Sequence, residues 1–288
     1  MAALSRLAPA KVNLFLHVGP VAVDGYHPLA SLVAFADVGD RVTVEPAERL
    51  SLAVTGPFAG ELGEAGDNLI LRALRALGAA AGIGEPALAV TLDKQLPVAA
   101  GLGGGSSDAG AALKLARDVL DLPFDDAALA GVAGMVGADG PMCLHARAAW
   151  ARGRGDRLDF EPCLPALACL LVNPGAPSLT AAVYRTHDAG PPGRADTPPP
   201  PLDWRPPGVI AWLEGQRNDL AAAAVALQPA IGRALTAVKA LPGVRLARMS
   251  GSGATVFALF DSREAAAEAG RGLQSQHPDW WIQPTLLA

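Results

Sequence analysis

The chain has too few cysteines, in the wrong pattern, for a disulfide framework or a cysteine-based zinc site. Cys143, Cys163 and Cys169 are odd in number and form neither a C-x-x-C pair nor a zinc-ligand spacing. Such residues are typical of buried free thiols in a reducing compartment. The sequence therefore favours a cytoplasmic protein.

Charge of one sign is not concentrated anywhere along the sequence. The formal net charge is −5, from 23 basic and 28 acidic residues that are interleaved along the chain. A nucleic-acid interface needs a basic patch or stripe, so nucleic acid is not an expected partner. With 51% hydrophobic and 18% charged residues, the composition indicates a folded, enzyme-like protein with a large core.

No stretch of the sequence predicts a signal peptide or a membrane span. Arg6 and Lys11 interrupt what would be the apolar part of a signal peptide, and no cleavage pattern follows. The longest uncharged run, 164–184, contains three prolines and an asparagine, which a helix in lipid would hardly tolerate. We expect this run to form a buried strand, a turn and a new helix, and we expect no membrane partner.

Hydrophobic periodicity alternates between short strand-like runs and longer helical runs, which is typical of a mixed α/β or α+β protein. Strands are predicted over 12–18, 30–46, 87–93, 167–173, 244–249 and 255–260. Helices are predicted over 68–81, 106–120, 126–136, 219–227, 229–240 and 263–274. The apolar pattern breaks near 153–159, which predicts a first domain over 1–155 and a second over 156–288.

Proline is concentrated in one segment, 189–208, where eight of twenty residues are proline. Proline lacks an N–H and fixes φ, so the segment is a poor candidate for a helix or a central strand. We expect a surface loop with polyproline character. A ligand for a proline-recognition domain is the alternative interpretation.

Glycine is concentrated in PVAAGLGGGSSDAGAAL, 97–113, which follows a strand-like run and precedes a helical one. Ser106 is placed to cap that helix. A helix N-terminus offers unpaired N–H groups and the positive end of the dipole, and glycines let an anion approach the backbone. The segment predicts a phosphate-binding loop, with a glycine-rich turn before a capped helix as the alternative.

Two familiar phosphate loops are absent from this segment. It has no G-K-[ST], and the spacing of Gly101, Gly103 and Ser106 misses the last position of G-x-G-x-x-G. A P-loop NTPase and a dinucleotide-binding dehydrogenase are therefore disfavoured. Ser107 and Asp108 are candidate magnesium ligands, because this ion prefers oxygen donors.

Three motifs together make the chain resemble the GHMP kinases, which transfer a phosphoryl group from ATP to small-molecule alcohols or acids. PAKVNLFLHV (9–18) is similar to the first motif of that family, 97–113 to its ATP-binding second motif, and MSGSGATVFALF (249–260) to its third. The resemblance implies an α+β (mixed α/β) fold of two domains, with ATP and Mg²⁺ as cofactors. The first domain would be like domain 2 of ribosomal protein S5, and the second a ferredoxin-like α/β sandwich.

The resemblance runs from about residue 8 to 260, and four segments make it closer to one group within the family. These segments are PAKVNL, DGYHPL (24–29), GLGGGSSDAG and GADGP (137–141). They are similar to the family members that act on a cytidine-diphosphate-linked methylerythritol. The implied reaction is ATP-dependent phosphorylation of the 2-hydroxyl of 4-diphosphocytidyl-2-C-methyl-D-erythritol, in the non-mevalonate route to isoprenoid precursors.

The resemblance assigns the catalytic chemistry to Asp139 and Lys11. Asp139 would take the proton of the substrate hydroxyl, and Lys11 beside it would hold Asp139 ionised and stabilise developing negative charge. A loose transition state asks little basicity of the carboxylate. The implied ATP-binding residues are Pro97, Gly101, Leu102, Gly103, Gly104, Gly105, Ser106 and Ser107.

The resemblance also implies aromatic residues that bind the substrate. DGYH begins with an Asp-Gly turn, which predicts a hairpin with Tyr26 and His27 at or just past its tip. By resemblance Tyr26 stacks on one face of cytosine, Tyr184 covers the other face and His27 reads the edge of the base. Asn13 and Thr180 are implied as polar contacts to the substrate.

The third motif predicts a tight glycine-rich turn between two short strands. By resemblance it packs beside the phosphate loop, with Gly251, Ser252 and Gly253 as supporting residues. One departure lies after Asp139, where the sequence reads Gly-Pro-Met-Cys and the family usually has an aliphatic residue, proline and two aromatics. This departure predicts softer packing around the carboxylate.

Two other classes of function stay open at this point. Another GHMP kinase, acting on mevalonate, homoserine or a sugar, would keep the glycine-rich motifs but would not need the DGYH element. A non-catalytic nucleotide-binding protein of this fold would lose Lys11 or Asp139. We expect a monomer or a weak homodimer, and the sequence does not choose between them.

Overall fold

The computed structural model describes residues 3–62 and 68–288. The chain divides into two compact units that are not continuous in sequence. The first consists of Met1–Lys11, Val38–Val98 and Gly103–Ala146, and the second of Val12–Asp37, Ala99–Leu102 and Arg147–Ala288. The single boundary between residues 155 and 156 stays a prediction.

Two long strands contribute residues to both units: β1 (Leu4–Asn13) and β3 (Leu29–Pro46). The first unit adds β4 (Ser51–Thr55), β5 (Leu88–Asp93), α1 (Leu69–Ala81), α2 (Gly104–Val119), α3 (Asp126–Val136) and α4 (Gly140–His145). The second unit adds β2 (His17–Val18), β6 (Ala149–Gly153), β7 (Arg157–Phe160), β8 (Leu167–Asn173), β9 (Leu246–Met249), β10 (Val256–Phe260) and β11 (Trp281–Leu287). Its helices are α5 (Thr180–Asp188), α6 (Pro206–Glu214), α7 (Ala221–Leu227), α8 (Pro229–Lys239) and α9 (Arg263–Gln276).

In the first unit, β5 pairs antiparallel with residues 41–46 of β3 and parallel with β4. The apolar residues of β5 alternate, so Leu88, Val90 and Leu92 are buried against the helices while the residues between them face outward. Helix α1 begins at the Asn68 cap, whose side chain accepts the N–H of Ile70, and ends at Gly82 in the left-handed conformation. The core of this unit therefore lies between one face of its strands and its helices.

In the second unit, β8 lies between β10 and β11, antiparallel to both, and β9 pairs with the other edge of β10. Every residue of β8 is buried, which explains its continuous apolar sequence. Apolar residues of α7, α8 and α9 pack with it in one core cluster. β6 pairs with residues 29–33 of β3 and with β7.

These elements confirm the mixed α/β fold class, and several predicted bounds agree within one or two residues. The strands β4, β6, β7 and β11 and the helices α4 and α6 were not expected. The predicted strand 12–18 is wrong, because β1 ends at Asn13 and β2 is a separate strand of two residues. Helix α2 begins at Gly104, with Gly103 as its left-handed cap residue, so the prediction of Ser106 as the cap is wrong. Because glycine is a poor helix former, periodicity alone placed the start too late.

The proline-rich segment has no helix or strand from 190 to 205, as expected, and α6 begins with Pro206 as its first helical residue. Backbone carbonyls of the segment hold it in place: the Asp196 oxygen lies 2.8 Å from His17 Nδ1, and the Pro199 oxygen accepts the indole N–H of Trp212. The segment is therefore a loop that packs on its own unit.

Two further features bear on the sequence predictions. Cys143 and Cys169 are buried, but Cys163 is exposed because it lies in the turn after β7, so the expectation of three buried thiols is wrong. Of the helices in 3–62 and 68–288, none alone has the length and composition of a membrane span, and α7 with α8 meet that test only as a pair bent by 119°.

Tryptophan and tyrosine, the residues that absorb most strongly in the near ultraviolet, occur in the second unit alone. The five tryptophans and both tyrosines of the sequence belong to the second unit. Phe15, Trp150 and Trp212 pack edge to face, with ring centroids 5.7 to 6.1 Å apart.

Candidate active site

The glycine-rich segment 97–105 adopts a conformation that few other sequences could take. Ala99, Gly101 and Gly103 have positive φ, of 52°, 74° and 63°. A Cβ on Gly101 would lie 2.6 Å from the carbonyl oxygen of Ser250, and a Cβ on Gly105 would lie 3.1 Å from Leu69 Cδ1. Close packing against backbone therefore requires glycine at residue 101, whereas a side chain at residue 105 would need only a small shift of Leu69.

Helix α2 starts directly after this segment, and its first N–H groups have no partner within the helix. Ser106 is half-buried, whereas Ser107 is buried beside the thiol of Cys143. Among the described residues, Ser107 Oγ makes no hydrogen bond to a nitrogen or oxygen atom. The start of α2 thus has the dipole end and the hydroxyl groups that suit a phosphate and its metal ion.

Lys11 and Asp139 meet in the first unit. Lys11 Nζ, near the end of β1, lies 3.3 Å from Asp139 Oδ2, just before α4. The lysine side chain is 8% exposed, whereas the aspartate side chain is 40% exposed. The ammonium group is therefore held inside the protein, and the carboxylate it faces is accessible to a substrate.

The residues after Asp139 pack more tightly than the sequence suggested. A Cβ on Gly140 would lie 2.2 Å from the carbonyl oxygen of Ala133, so glycine lets α4 approach α3 directly. Met142 and Cys143 are buried, and burial raises the pKa of the Cys143 thiol to about 12. This thiol is consequently neutral and acts as an apolar packing group.

A second lysine in the first unit is enclosed by two carboxylates. Lys94 Nζ donates a hydrogen bond to Asp40 Oδ2 and another, at 3.0 Å, to Asp108 Oδ2. Burial is the largest influence on Asp108 and raises the pKa of its carboxyl group to about 8, with the nearby Asp40 charge acting in the same direction. The Asp108 side chain is only 4% exposed, so its carboxyl group faces Lys94 in the interior, away from solvent.

The turn between β9 and β10 contacts residues 100–101 of the glycine-rich segment. Ser250 Oγ donates to the carbonyl oxygen of Gly101 at 3.1 Å and accepts the N–H of Asn13 at 3.2 Å. The N–H of Thr255 donates to the carbonyl oxygen of Ala100. The predicted tight turn is thus present, and Asn13 is held by its backbone while its side chain donates to Ser31 Oγ.

A hydroxyl group on α5 also joins this turn. Thr180 Oγ1 and Ser252 Oγ lie 2.9 Å apart, and Ser178 Oγ donates to the carbonyl oxygen of Ser252. Gly251 and Gly253 have positive φ, which the turn requires. Ser252 therefore connects the turn to the start of α5.

The hairpin that carries Tyr26 is as predicted, with β2 antiparallel to β3 and Gly25 at a φ of 80°. Tyr26 is exposed, and the Arg154 guanidinium lies 4.2 Å from the centre of its ring. Arg154 also pairs with Asp24, whose other oxygen accepts the N–H of Tyr26. That backbone hydrogen bond is the main reason that the pKa of Asp24 is lowered.

His27 and Tyr184 are brought together in the same unit. Their ring centroids are 4.9 Å apart with planes tilted by 37°, and His27 Nε2 lies 2.6 Å from Asp188 Oδ1 at the end of α5. A carboxylate on one imidazole nitrogen fixes the orientation of the ring. Sequence reasoning missed Arg154 and Asp188, and it missed Asp40 and Lys94, because lone charged residues ordinarily indicate a solvated surface.

Comparison with known proteins gives a consistent result. Two family models match the chain: "GHMP kinases N terminal domain" at residues 68–147 and "GHMP kinases C terminal" at 210–279. A relative from Caulobacter vibrioides (strain NA1000 / CB15N), named 4-diphosphocytidyl-2-C-methyl-D-erythritol kinase, is 51% identical over 288 residues, 99% of each chain.

Solved structures extend the comparison. A crystal structure of 4-(cytidine 5'-diphospho)-2C-methyl-D-erythritol kinase is similar with a TM-score of 0.78 and 33% identity, covering 99% of both chains. The homoserine kinase from Cytophaga hutchinsonii has a TM-score of 0.69 at 19% identity, covering 100% of this chain and 95% of its own. The second similarity shows the fold alone.

Proposed function

The chain belongs to the GHMP kinases and is a small-molecule kinase, and from this premise we propose how its residues carry out the reaction. It phosphorylates the 2-hydroxyl of 4-diphosphocytidyl-2-C-methyl-D-erythritol, a step of the non-mevalonate route to isoprenoid precursors. The observation that carries this substrate is the 51% identity, over nearly the whole of both chains, to a relative with that name.

Asp139 is the residue that receives the proton of the substrate hydroxyl. Its carboxylate is accessible, and Lys11 Nζ lies 3.3 Å from it. The positive charge of Lys11 stabilises negative charge on the oxygen that attacks the phosphoryl group. Because the proton is transferred late in a loose transition state, a carboxylate is a sufficient base.

Membership of a kinase family implies ATP as the phosphoryl donor, and we assign its phosphates to the start of α2. The N–H groups at that helix end and the positive end of its dipole favour the negative charge of the phosphates. The glycines of 101–105 let the phosphates approach the backbone, and the hydroxyl of Ser106 donates to them.

We assign Mg²⁺ to the same helix end, where the buried Ser107 Oγ has no nitrogen or oxygen partner among the described residues and so fits the ion. When bound, Mg²⁺ neutralises charge on the ATP phosphates. Asp108 Oδ1 also has no hydrogen-bond partner among those residues, but the other carboxyl oxygen, Oδ2, is hydrogen-bonded to Lys94 in the interior, which makes Asp108 the poorer candidate. Within the part of the chain that the structure describes, no group of three or more His, Cys, Asp or Glu side chains is placed to hold a metal ion.

The cytosine of the substrate is recognised by the aromatic residues of the second unit. Arg154 covers one face of the Tyr26 ring, so the base stacks on the other face. Tyr184 packs against His27 and covers the base from its second side. His27, oriented by Asp188, donates to or accepts from the edge of the base, while Asn13 and Thr180 bind the rest of the substrate.

We further propose that the enzyme works in the cytoplasm as a monomer or a weak homodimer. The buried thiols of Cys143 and Cys169 support a reducing compartment.

The test is ADP release with ATP and Mg²⁺, measured in parallel with 4-diphosphocytidyl-2-C-methyl-D-erythritol, mevalonate, homoserine and galactose. We expect release with the cytidine compound alone. Release with another alcohol would contradict the assignment of the aromatic residues to cytosine. Silence with all four would contradict catalysis by Asp139 and favour a nucleotide-binding protein without activity.

A further inference from the structure

A buried ionic cluster, consisting of Asp40, Lys94 and Asp108, connects two points of the chain on either side of the glycine-rich segment. The side chains of all three are at most 4% exposed. Asp40 Oδ1 accepts the backbone N–H groups of Gln95, at 2.6 Å, and of Leu96, at 2.8 Å. Lys94 Nζ joins the same Asp40 to Asp108 in the second turn of α2. The cluster therefore fixes the chain immediately before and immediately after residues 97–107.

The start of α2 lies directly on this cluster. A Cβ on Gly104 would lie 3.1 Å from Lys94 Nζ and 3.6 Å from Asp40 Oδ2. A larger side chain at residue 104 would therefore push the backbone away from the cluster or displace the lysine. The first helical turn thus packs directly against the ammonium group of Lys94.

Burial of three ionisable groups is an unusual way to stabilise a core. Apolar side chains of similar volume often stabilise a protein as well as a buried ion pair does, because the ions lose their hydration. What charged hydrogen bonds add is geometry, since they hold their partners at defined distances and angles. This argues that the cluster serves the position of the chain around it more than the overall stability.

A binding loop that is already held in place loses less conformational entropy when it binds its ligand. We propose that Asp40, Lys94 and Asp108 are positioning residues, which hold 97–107 in the conformation that binds the phosphates of ATP. The inference rests on the proposed function of that segment as the phosphate loop. In this proposal Asp108 is a partner of Lys94, whereas the sequence suggested that Asp108 is a magnesium ligand.

The test compares two substitutions of Asp108. Asp108→Ala removes the link between Lys94 and α2 and keeps the Lys94–Asp40 pair, so the buried ammonium retains a partner. Asp108→Asn keeps an oxygen that accepts a hydrogen bond from Lys94. We expect the KM for ATP to rise about tenfold or more in the alanine variant, the effect of a misplaced binding group. The asparagine variant should recover most of that loss, and the KM for the cytidine substrate should not change in either variant.

Asp118→Ala is the matched control. It removes the same type of side chain from the same helix, but the Asp118 carboxylate is on the surface and pairs with the neighbouring Arg117. We expect it to leave both KM values unchanged.

Hydrogen exchange measured without nucleotide gives a second readout that does not depend on turnover. The amides of 97–107 should exchange faster in Asp108→Ala than in the unsubstituted protein, while those of β5 and α1 should not change. If the unsubstituted protein did not turn over ATP, the proposed function would fail. The hydrogen-exchange comparison would still show whether Asp108 holds residues 97–107 in place.

Three results would overturn the proposal. An unchanged KM for ATP and unchanged exchange in Asp108→Ala would show that the link has no effect on the segment. Faster exchange throughout the first unit would show a general structural role. A loss in Asp108→Asn as large as that in Asp108→Ala would show that the charge of Asp108 is needed, as for a magnesium ligand.

Discussion

The candidate site residues of the first unit and those of the second unit solve different physical problems. In the first unit, the residues assigned to proton transfer and to positioning of the glycine-rich segment are ionisable, and all except Asp139 are enclosed by the protein: Lys11, Asp40, Lys94, Asp108 and Asp139. In the second unit, the residues assigned to the cytosine are the rings of Tyr26, His27 and Tyr184, and Tyr26 is 52% exposed. Charged groups that act on a transition state must be oriented before the reaction begins, whereas an aromatic ring binds by removing its own surface from water.

The comparison teaches how a substitution in each region should act. A change to Lys11 or Asp139 in the first unit alters the stabilisation of the transition state, so it lowers kcat. A change to the aromatic residues of the second unit alters binding of the substrate, so it raises KM with kcat little changed. The following predictions test this division, beginning with the largest effect.

Asp139→Asn should have the largest effect, a decrease in kcat of about 1,000-fold, because general base catalysis of this kind contributes 10²- to 10⁴-fold. The amide has nearly the same shape but cannot accept the hydroxyl proton. Steady-state kinetics give kcat, and calorimetry gives the affinity for ATP, which should stay the same. A kcat close to that of the unsubstituted enzyme would remove Asp139 from the mechanism.

Tyr26→Ala should raise the KM for the cytidine substrate by about tenfold, since stacking on a base is worth roughly 1–3 kcal/mol. The kcat should change little. Tyr26→Phe is the control, because it keeps the ring and loses only the hydroxyl group, and its KM should stay near the original value. A decrease in kcat with constant KM would contradict the assignment of Tyr26 to substrate binding.

Arg154→Ala should have the smallest effect, an increase of about threefold in the same KM, because an exposed cation–π contact is worth roughly 0.5–1 kcal/mol. The reason is that Arg154 steadies the Tyr26 ring and its hairpin. Arg152→Ala is the matched control, since Arg152 has the same exposure but pairs with Asp159. Equal effects of the two substitutions would show a general charge effect and contradict a role for the Tyr26 contact.

The features that the sequence predicted are those with a local signal. The glycine-rich segment before a helix, the Asp-Gly hairpin and the buried strand β8 each depend on residues that are neighbours in the chain. The short strands β6 and β7 were missed because four or five residues are too few to show a clear alternation of apolar and polar side chains. Helix α4 was missed because Gly-Pro at its start is also the signature of a loop.

The site residues that were missed have partners far away in the chain. Asp40 and Lys94 are 54 residues apart, and Arg154 and Asp24 are 130 residues apart. Asp40 lies within β3, Lys94 directly follows β5, and Arg154 and Asp24 lie in turns. For a single charged residue, a solvated side chain is the ordinary expectation. Only the fold shows that Lys94 is enclosed and that Arg154 lies over an aromatic ring.

The placement of the tryptophans has an optical consequence. Because all five belong to the second unit, the intrinsic fluorescence of the protein comes almost entirely from that unit, and the first unit is nearly dark. Circular dichroism of the peptide bond, in contrast, detects the helices of both. In a denaturant titration, coincidence of the two curves would indicate one cooperative transition, and separated midpoints would mean that the dark unit melts at its own concentration. A tryptophan introduced into that unit would add the unfolding of the first unit to the fluorescence signal.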